Sequence, residues 1–87
     1  MKNGQVKITG IVPNEKNGKK SFTIYGITPL EPYEAERGGT GMKVVQEWTN
    51  RIDCSMLKPD DIVEFSYSKG FQNTAVLSNI TVVAPAK

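Results

Sequence analysis

Residues 5–27 read QVKITGIVPNEKNGKKSFTIYGI, and the fold turns on this stretch. Val6, Ile8 and Val12 alternate with Lys7, Thr9 and Ile11, the two-residue period of a half-buried strand from Gln5 to Val12. The segment Pro13 to Gly18 then ends in Asn17-Gly18, a pair that accepts positive φ and favours a tight hairpin turn. A return strand is expected from Lys19 to Ile27, with Phe22 and Ile24 on one face and Ser21, Thr23 and Tyr25 on the other. The chain therefore opens as a β-hairpin.

Working outward, residues 28 to 41 contain Pro29, Pro32, three glutamates and the run Gly38-Gly39-Thr40-Gly41. That composition resists regular structure and predicts a mobile loop. In Met42 to Ile52, Val44, Gln46 and Trp48 fit one face of a strand, while Val44, Val45, Trp48 and Ile52 also fit a helical face; the strand is favoured. Lys58-Pro59-Asp60-Asp61 places proline at the second position of a type I turn. Ile62 to Ser68 then alternates, with Val63, Phe65 and Tyr67 on one face. After a turn at 69–73, Thr74 to Val83 supplies a last strand with Val76, Ile80 and Val82 in phase. Five short strands and no strong amphipathic helix predict an all-β protein, a small five-stranded OB-fold-like barrel, with an SH3-like barrel as the competing topology.

Composition bounds the function. With 87 residues and 38% hydrophobic content, the chain can bury one core and is expected to form a single domain over 1–87. No run approaches the ~20 apolar residues that cross a bilayer, so no membrane association is expected. The residues after Lys2 alternate in polarity and lack the apolar core of a secretory signal, which predicts a cytoplasmic location. Histidine is absent, and Cys54 is the single cysteine. The usual general base and the commonest metal ligands are thus missing, Cys54 reads as an inert thiol, and neither an enzyme nor a cofactor is expected.

The net charge of +2 says little, but its distribution says more. Residues 1–20 carry five lysines against one glutamate, whereas residues 21–65 carry four basic against eight acidic side chains. Lys69 and Lys87 follow, so positive charge gathers toward both ends and can form one patch if the terminal strands lie together. Lys16, Lys19 and Lys20 surround the hairpin glycine and suit phosphate contacts. Tyr25, opposite Phe22 and Ile24 in the alternation, should face outward as a stacking platform beside them. Phe71, between Gly70 and Gln72 in a turn, either packs back or meets a partner. Trp48 and Tyr67 are further aromatic candidates, although a large ring in so small a barrel also suits the core.

The length, the basic glycine-bearing hairpin Lys16 to Lys20, the segment Asp61 to Ser68 followed by Lys69-Gly70-Phe71, and the C-terminal Val82-Val83-Ala84-Pro85-Ala86-Lys87 resemble the filamentous-phage single-stranded-DNA-binding proteins. The resemblance implies an OB-fold homodimer that coats single-stranded DNA cooperatively. It would place Lys16, Lys19, Lys20 and either Phe22 or Tyr25 on one DNA-binding hairpin, and Phe71 on a second loop near the dyad. This chain departs from the family in having only Arg37 and Arg51 where the family relies on arginines, and in its acidic segment Glu31, Glu34 and Glu36, which could block or regulate the groove.

The expected function is therefore sequence-nonspecific binding of single-stranded DNA through Lys16, Lys19, Lys20, Phe22, Tyr25, Trp48, Lys69 and Phe71. RNA fits the same groove. The alternative from another class is a protein-interaction adaptor that binds a partner by strand addition at a sheet edge.

Overall fold

The computed structural model describes residues 1–86 and is all-β apart from two short helical turns. Five strands, β1 (Gln5–Lys16), β2 (Lys19–Pro29), β3 (Met42–Thr49), β4 (Ile62–Lys69) and β5 (Ala75–Ala84), form one antiparallel sheet in the order β3-β2-β1-β4-β5. The segment expected to be strand or helix is strand β3. No backbone pairing joins β3 to β5 among the described residues, so the sheet is open rather than closed into a barrel. The Tyr67 hydroxyl on β4 donates to the Glu47 carboxylate on β3 at 2.5 Å, a side-chain link between strands that are not neighbours in the sheet.

The core consists of Val6, Ile8, Phe22, Ile24, Cys54 and Val63, with Ile11, Val45, Ile52, Leu57, Phe65 and Ile80 packed against it. Ile52, Cys54 and Leu57 come from the coil between β3 and β4, which thus closes one side of the core. Burial pushes the Cys54 thiol above its ordinary pKa, with the nearby Asp53 carboxylate adding to the effect.

Of three register irregularities, at Thr9, Ser78 and Val83, the first two correct the expected strand phases. In β1, Ile8 pairs with Gly26 and Gly10 with Tyr25, so Thr9 is an extra residue. From there the inward positions change parity: Ile11 joins the core, whereas Val12 is half exposed on the outer face. In β5, Ser66 faces Asn79 and Tyr67 faces Leu77, leaving Ser78 as the extra residue, and its hydroxyl donates to the Ser66 carbonyl at 3.1 Å. Leu77 rather than Val76 is therefore the buried position. Periodicity cannot anticipate an inserted residue.

β1 also runs past its expected end at Val12 to Lys16. Pro13 is accommodated because β4 pairs with β1 only at Gln5–Lys7, so at Pro13 one side of the strand has no neighbour that needs an N–H. Gly26 sits tight against β1, where a Cβ would stand 2.8 Å from the Lys7 carbonyl oxygen.

The stretch expected as a mobile loop holds more structure. Thr28 and Pro29 complete β2, and the Thr28 hydroxyl donates to the Gln5 carbonyl at 2.8 Å. Helix α1 (Pro32–Glu36) follows, with Pro32 in its first turn. Glu34 accepts from the Glu31 backbone N–H at 2.9 Å and from Lys43 of β3 at 3.1 Å, contacts that hold its carboxyl below the usual range. Of the residues that argue against regular structure here, Pro29 ends β2, Pro32 opens the one-turn helix, and the glycines from Gly38 onward follow its end.

The turn at 58–61 keeps its i to i+3 bond, Asp61 N–H to Lys58 carbonyl at 3.1 Å, but is type II, because Asp60 has φ +76°. Asp60 and Asp61 exchange backbone hydrogen bonds with Ile8, extending the β1–β4 contact up to the bulge. The buried Asp61 carboxylate accepts from the Lys58 and Ala86 backbone N–H groups at 2.9 and 2.6 Å, pinning the end of β5 to this turn. Among the described residues, no helix is long and apolar enough to cross a membrane.

Candidate nucleic-acid interface

The hairpin between β1 and β2 is built as its sequence dictates. Asn17 and Gly18 have φ +54° and +78°, the two positive values of a type I′ turn, which sets Lys16 directly opposite Lys19 and Glu15 opposite Lys20. Like charges facing each other across a hairpin oppose folding, so the Lys16–Lys19 pair gives the fold nothing. Among the described residues, ion pairs engage Lys7 and Lys43 but none of Lys16, Lys19 and Lys20. The positive charge of this turn is available to an anion.

Register decides which aromatic side chains accompany it. On the outer face of β1-β2-β3, successive rows are Val12–Thr23–Trp48 and Gly10–Tyr25–Gln46. Trp48 is 58% exposed and Tyr25 38%, on neighbouring strands and diagonal to each other, about 7–8 Å apart. Trp48, read as a binder or a core ring from sequence, is thus on the surface, and Tyr25 faces outward as its alternation requires. Phe22 does not join them. It follows the inward parity of Ile24, is 7% exposed and belongs to the core, so of the two hairpin aromatics only Tyr25 can stack on a base.

Trp48 stands where two surface depressions meet. One contains Trp48 with Lys16, Lys19 and Lys20. The other contains Trp48 and Arg51 with Ala75 and Leu77 at the start of β5. Between β4 and β5, the turn that carries Phe71 is closed by Gly70 N–H to Thr74 carbonyl at 2.6 Å and by the Thr74 hydroxyl to the Phe71 carbonyl at 2.7 Å. Phe71 projects from it 83% exposed, and Lys69 is exposed beside it. The structure therefore gathers Lys16, Lys19, Lys20 and Trp48, sets Tyr25 on the same face, and keeps Lys69 at the end of β4 and Phe71 on the turn that leads from it to β5.

Arg51, one of the two arginines of the acidic middle of the sequence, is not among the expected binding residues. The end of β3 brings it beside Lys20 and Asn50, while Asp53, in the same depression, is held below its usual pKa mainly by the Ser55 backbone N–H. Lys7 belongs elsewhere. It lies nine residues from Lys16 along an extended strand, about 30 Å away, and pairs with Asp60 at 3.7 Å. The amino-terminal positive charge is thus divided between the two ends of β1 instead of forming one patch, and Lys87 lies outside the described residues. The acidic residues Glu31 and Glu34 sit where β2 ends and β3 begins, the opposite end of β2 from the hairpin turn, and both pair with Lys43. A further cavity of about 520 Å³ is walled by Ile11, Pro13, Phe22 and Leu57, with Glu15 and Lys20 also lining it.

No protein-family model matches the chain, and neither a curated protein nor a solved structure does. The geometry defines a class by shape and surface: an open five-stranded antiparallel sheet with a basic, aromatic outer face at one end.

Proposed function

We propose that this protein binds single-stranded nucleic acid, DNA foremost, without a requirement for one sequence. The observation that carries the reading is the placement of Trp48, an exposed indole beside three lysines that no ion pair occupies among the described residues. Lysines neutralise phosphates, and an aromatic face stacks on any base, contributing ~1–3 kcal/mol per base. Reading the open sheet as an OB-fold points the same way. Five-stranded OB barrels are often partly open, and they bind oligonucleotides on the face of strands 2 and 3 and on the loops between strands 1 and 2 and between strands 4 and 5. Here those features are the Tyr25–Trp48 face, the Lys16–Lys20 turn and the Lys69–Phe71 turn. A homodimer formed through the exposed Phe71 turn accords with the phage-protein resemblance, and light scattering at high micromolar concentration tests it.

A second reading has its own observation. β3 is an edge strand of eight residues with Val44 79% exposed, an edge to which a partner strand could add. Anisotropy of labelled oligo(dT), oligo(rU) and a duplex separates the two. Single-strand binding predicts salt-sensitive affinity for oligo(dT) and weak affinity for the duplex, whereas a strand-addition adaptor predicts no affinity for any of the three.

A further inference from the structure

We propose that the free edge of β3 is a self-association seam, to which a second copy of this chain adds its own β3 in antiparallel register. The seam is separate from the Phe71 turn, and the inference does not depend on the single-strand reading. The open sheet has two edges, and they differ. β5 is interrupted at Ser78 and Val83, irregularities of the kind that turn an edge away from further pairing. β3 pairs with β2 without interruption from Met42 to Thr49, and its outward row of Met42, Val44 and Trp48 is exposed. An uninterrupted edge with exposed apolar side chains is the kind to which another strand adds. The start of β5 approaches only the carboxyl-terminal end of β3, across a depression lined by Glu47–Arg51 and Ala75–Leu77, and the proposed pairing stops at Trp48.

The sequence of β3 says which strand fits. The stretch Met42-Lys43-Val44-Val45-Gln46-Glu47-Trp48 is complementary to itself about Val45. A two-fold axis there sets Lys43 of each copy opposite Glu47 of the other, Met42 opposite Trp48 and Val44 opposite Gln46. Opposite charges facing each other across strands attract, and the symmetry makes the pair twice. Of the antiparallel registers that keep the outer faces together, this one alone sets Lys43 against Glu47. Both groups retain capacity for the contact. Lys43 gives one of its three protons to Glu34, and Glu47 takes the Tyr67 hydroxyl on one carboxylate oxygen, the other having no partner among the described residues.

Sedimentation velocity over a concentration series reads the association, with the fold of each variant checked by circular dichroism. So short a seam buries little area, and dimers are expected in the high micromolar range. K43E and E47K should each weaken association about 10-fold, because both symmetric pairs turn repulsive together. An equimolar mixture of the two should recover it, since each copy then meets the opposite charge. A second readout does not depend on charge. V44C and Q46C proteins, mixed and oxidised, should form a disulfide-linked dimer that neither forms alone, because Val44 faces Gln46 rather than itself and directly opposed Cα atoms lie within disulfide reach. Cys54 is buried and stays out of that reaction. A monomer at every concentration, association of K43E and E47K equal to wild type, or no disulfide in the mixture overturns the seam. So does a dimer that F71A alone dissociates, which assigns self-association to the Phe71 turn. The oligo(dT) titrations decide the single-strand reading separately.

Discussion

Replacing Lys16, Lys19 and Lys20 together with glutamine separates the charge of the hairpin from its shape. Each lysine that neutralises a phosphate on a single strand contributes about −0.7 to the slope of log affinity against log salt, so three contacts account for a slope of about 2. The variant should lose that much slope and weaken binding to all sequences nearly equally, most of all at low salt. Stability should move little and in a direction the register predicts. Removing the opposed Lys16–Lys19 pair relieves a repulsion of ~0.2–1 kcal/mol, and losing Lys20 opposite Glu15 returns part of it. Anisotropy titrations of oligo(dT) across a salt series, with urea melts in parallel, measure both quantities. An unchanged slope with unchanged affinity would refute the reasoning and leave the hairpin as a solvated turn.

Three further outcomes follow from the same geometry. Tyr25→Ala and Phe71→Ala should each weaken single-strand binding by roughly 1–3 kcal/mol with the fold intact, whereas Phe22→Ala should cost ~3–5 kcal/mol of stability, so a folded Phe22→Ala protein impaired only in binding would reverse the face assignment. Asp61→Ala removes a buried acceptor of two backbone N–H groups and should lower the urea-derived stability by about 3 kcal/mol; a loss below ~1 kcal/mol would mean the clasp on Ala86 is not formed. The Tyr67 hydroxyl is held above its ordinary pKa by burial first and by its bond to the Glu47 carboxylate second. A raised pKa in the folded state gives stability that is complete below the unfolded value of about 10 and is lost as pH climbs beyond it. Melting temperature should therefore fall more steeply above pH 10 in wild type than in Tyr67→Phe, which forfeits at most about 1 kcal/mol at neutral pH because the group is half exposed; parallel alkaline profiles would contradict the link.

Much of the architecture is legible where local chemistry decides it. Asn17-Gly18 specifies its type I′ turn, and the alternation of 42–49 and 62–69 yields strands because each lies on a sheet with one buried face. What was not legible depends on pairing between distant segments. Thr9 and Ser78 become bulged only when β2 and β4 take up their registers, so Ile11 and Leu77 exchange places with Val12 and Val76 as inward residues. Whether the sheet closes is likewise a matter of curvature, which a two-residue period does not encode.

The candidate site divides in the same way. Lys16, Lys19 and Lys20 are visible as a cluster because a hairpin turn keeps them close in sequence. Trp48 and Arg51 join them only through the β2–β3 register, and in sequence Arg51 is surrounded by acidic neighbours. Phe22 carried an ambiguous reading because an aromatic beside lysines suits both a core and a stacking surface; its inward parity resolves it.

Trp48 is the single tryptophan of the chain, so its fluorescence reports directly on the proposed surface. Titrating the protein with oligo(dT) at low salt and following indole emission is the most direct measurement of the central claim. Stacking of a base on Trp48 predicts saturable quenching that high salt reverses and that diminishes in the triple lysine variant. Emission unchanged through saturating oligo(dT) would contradict it.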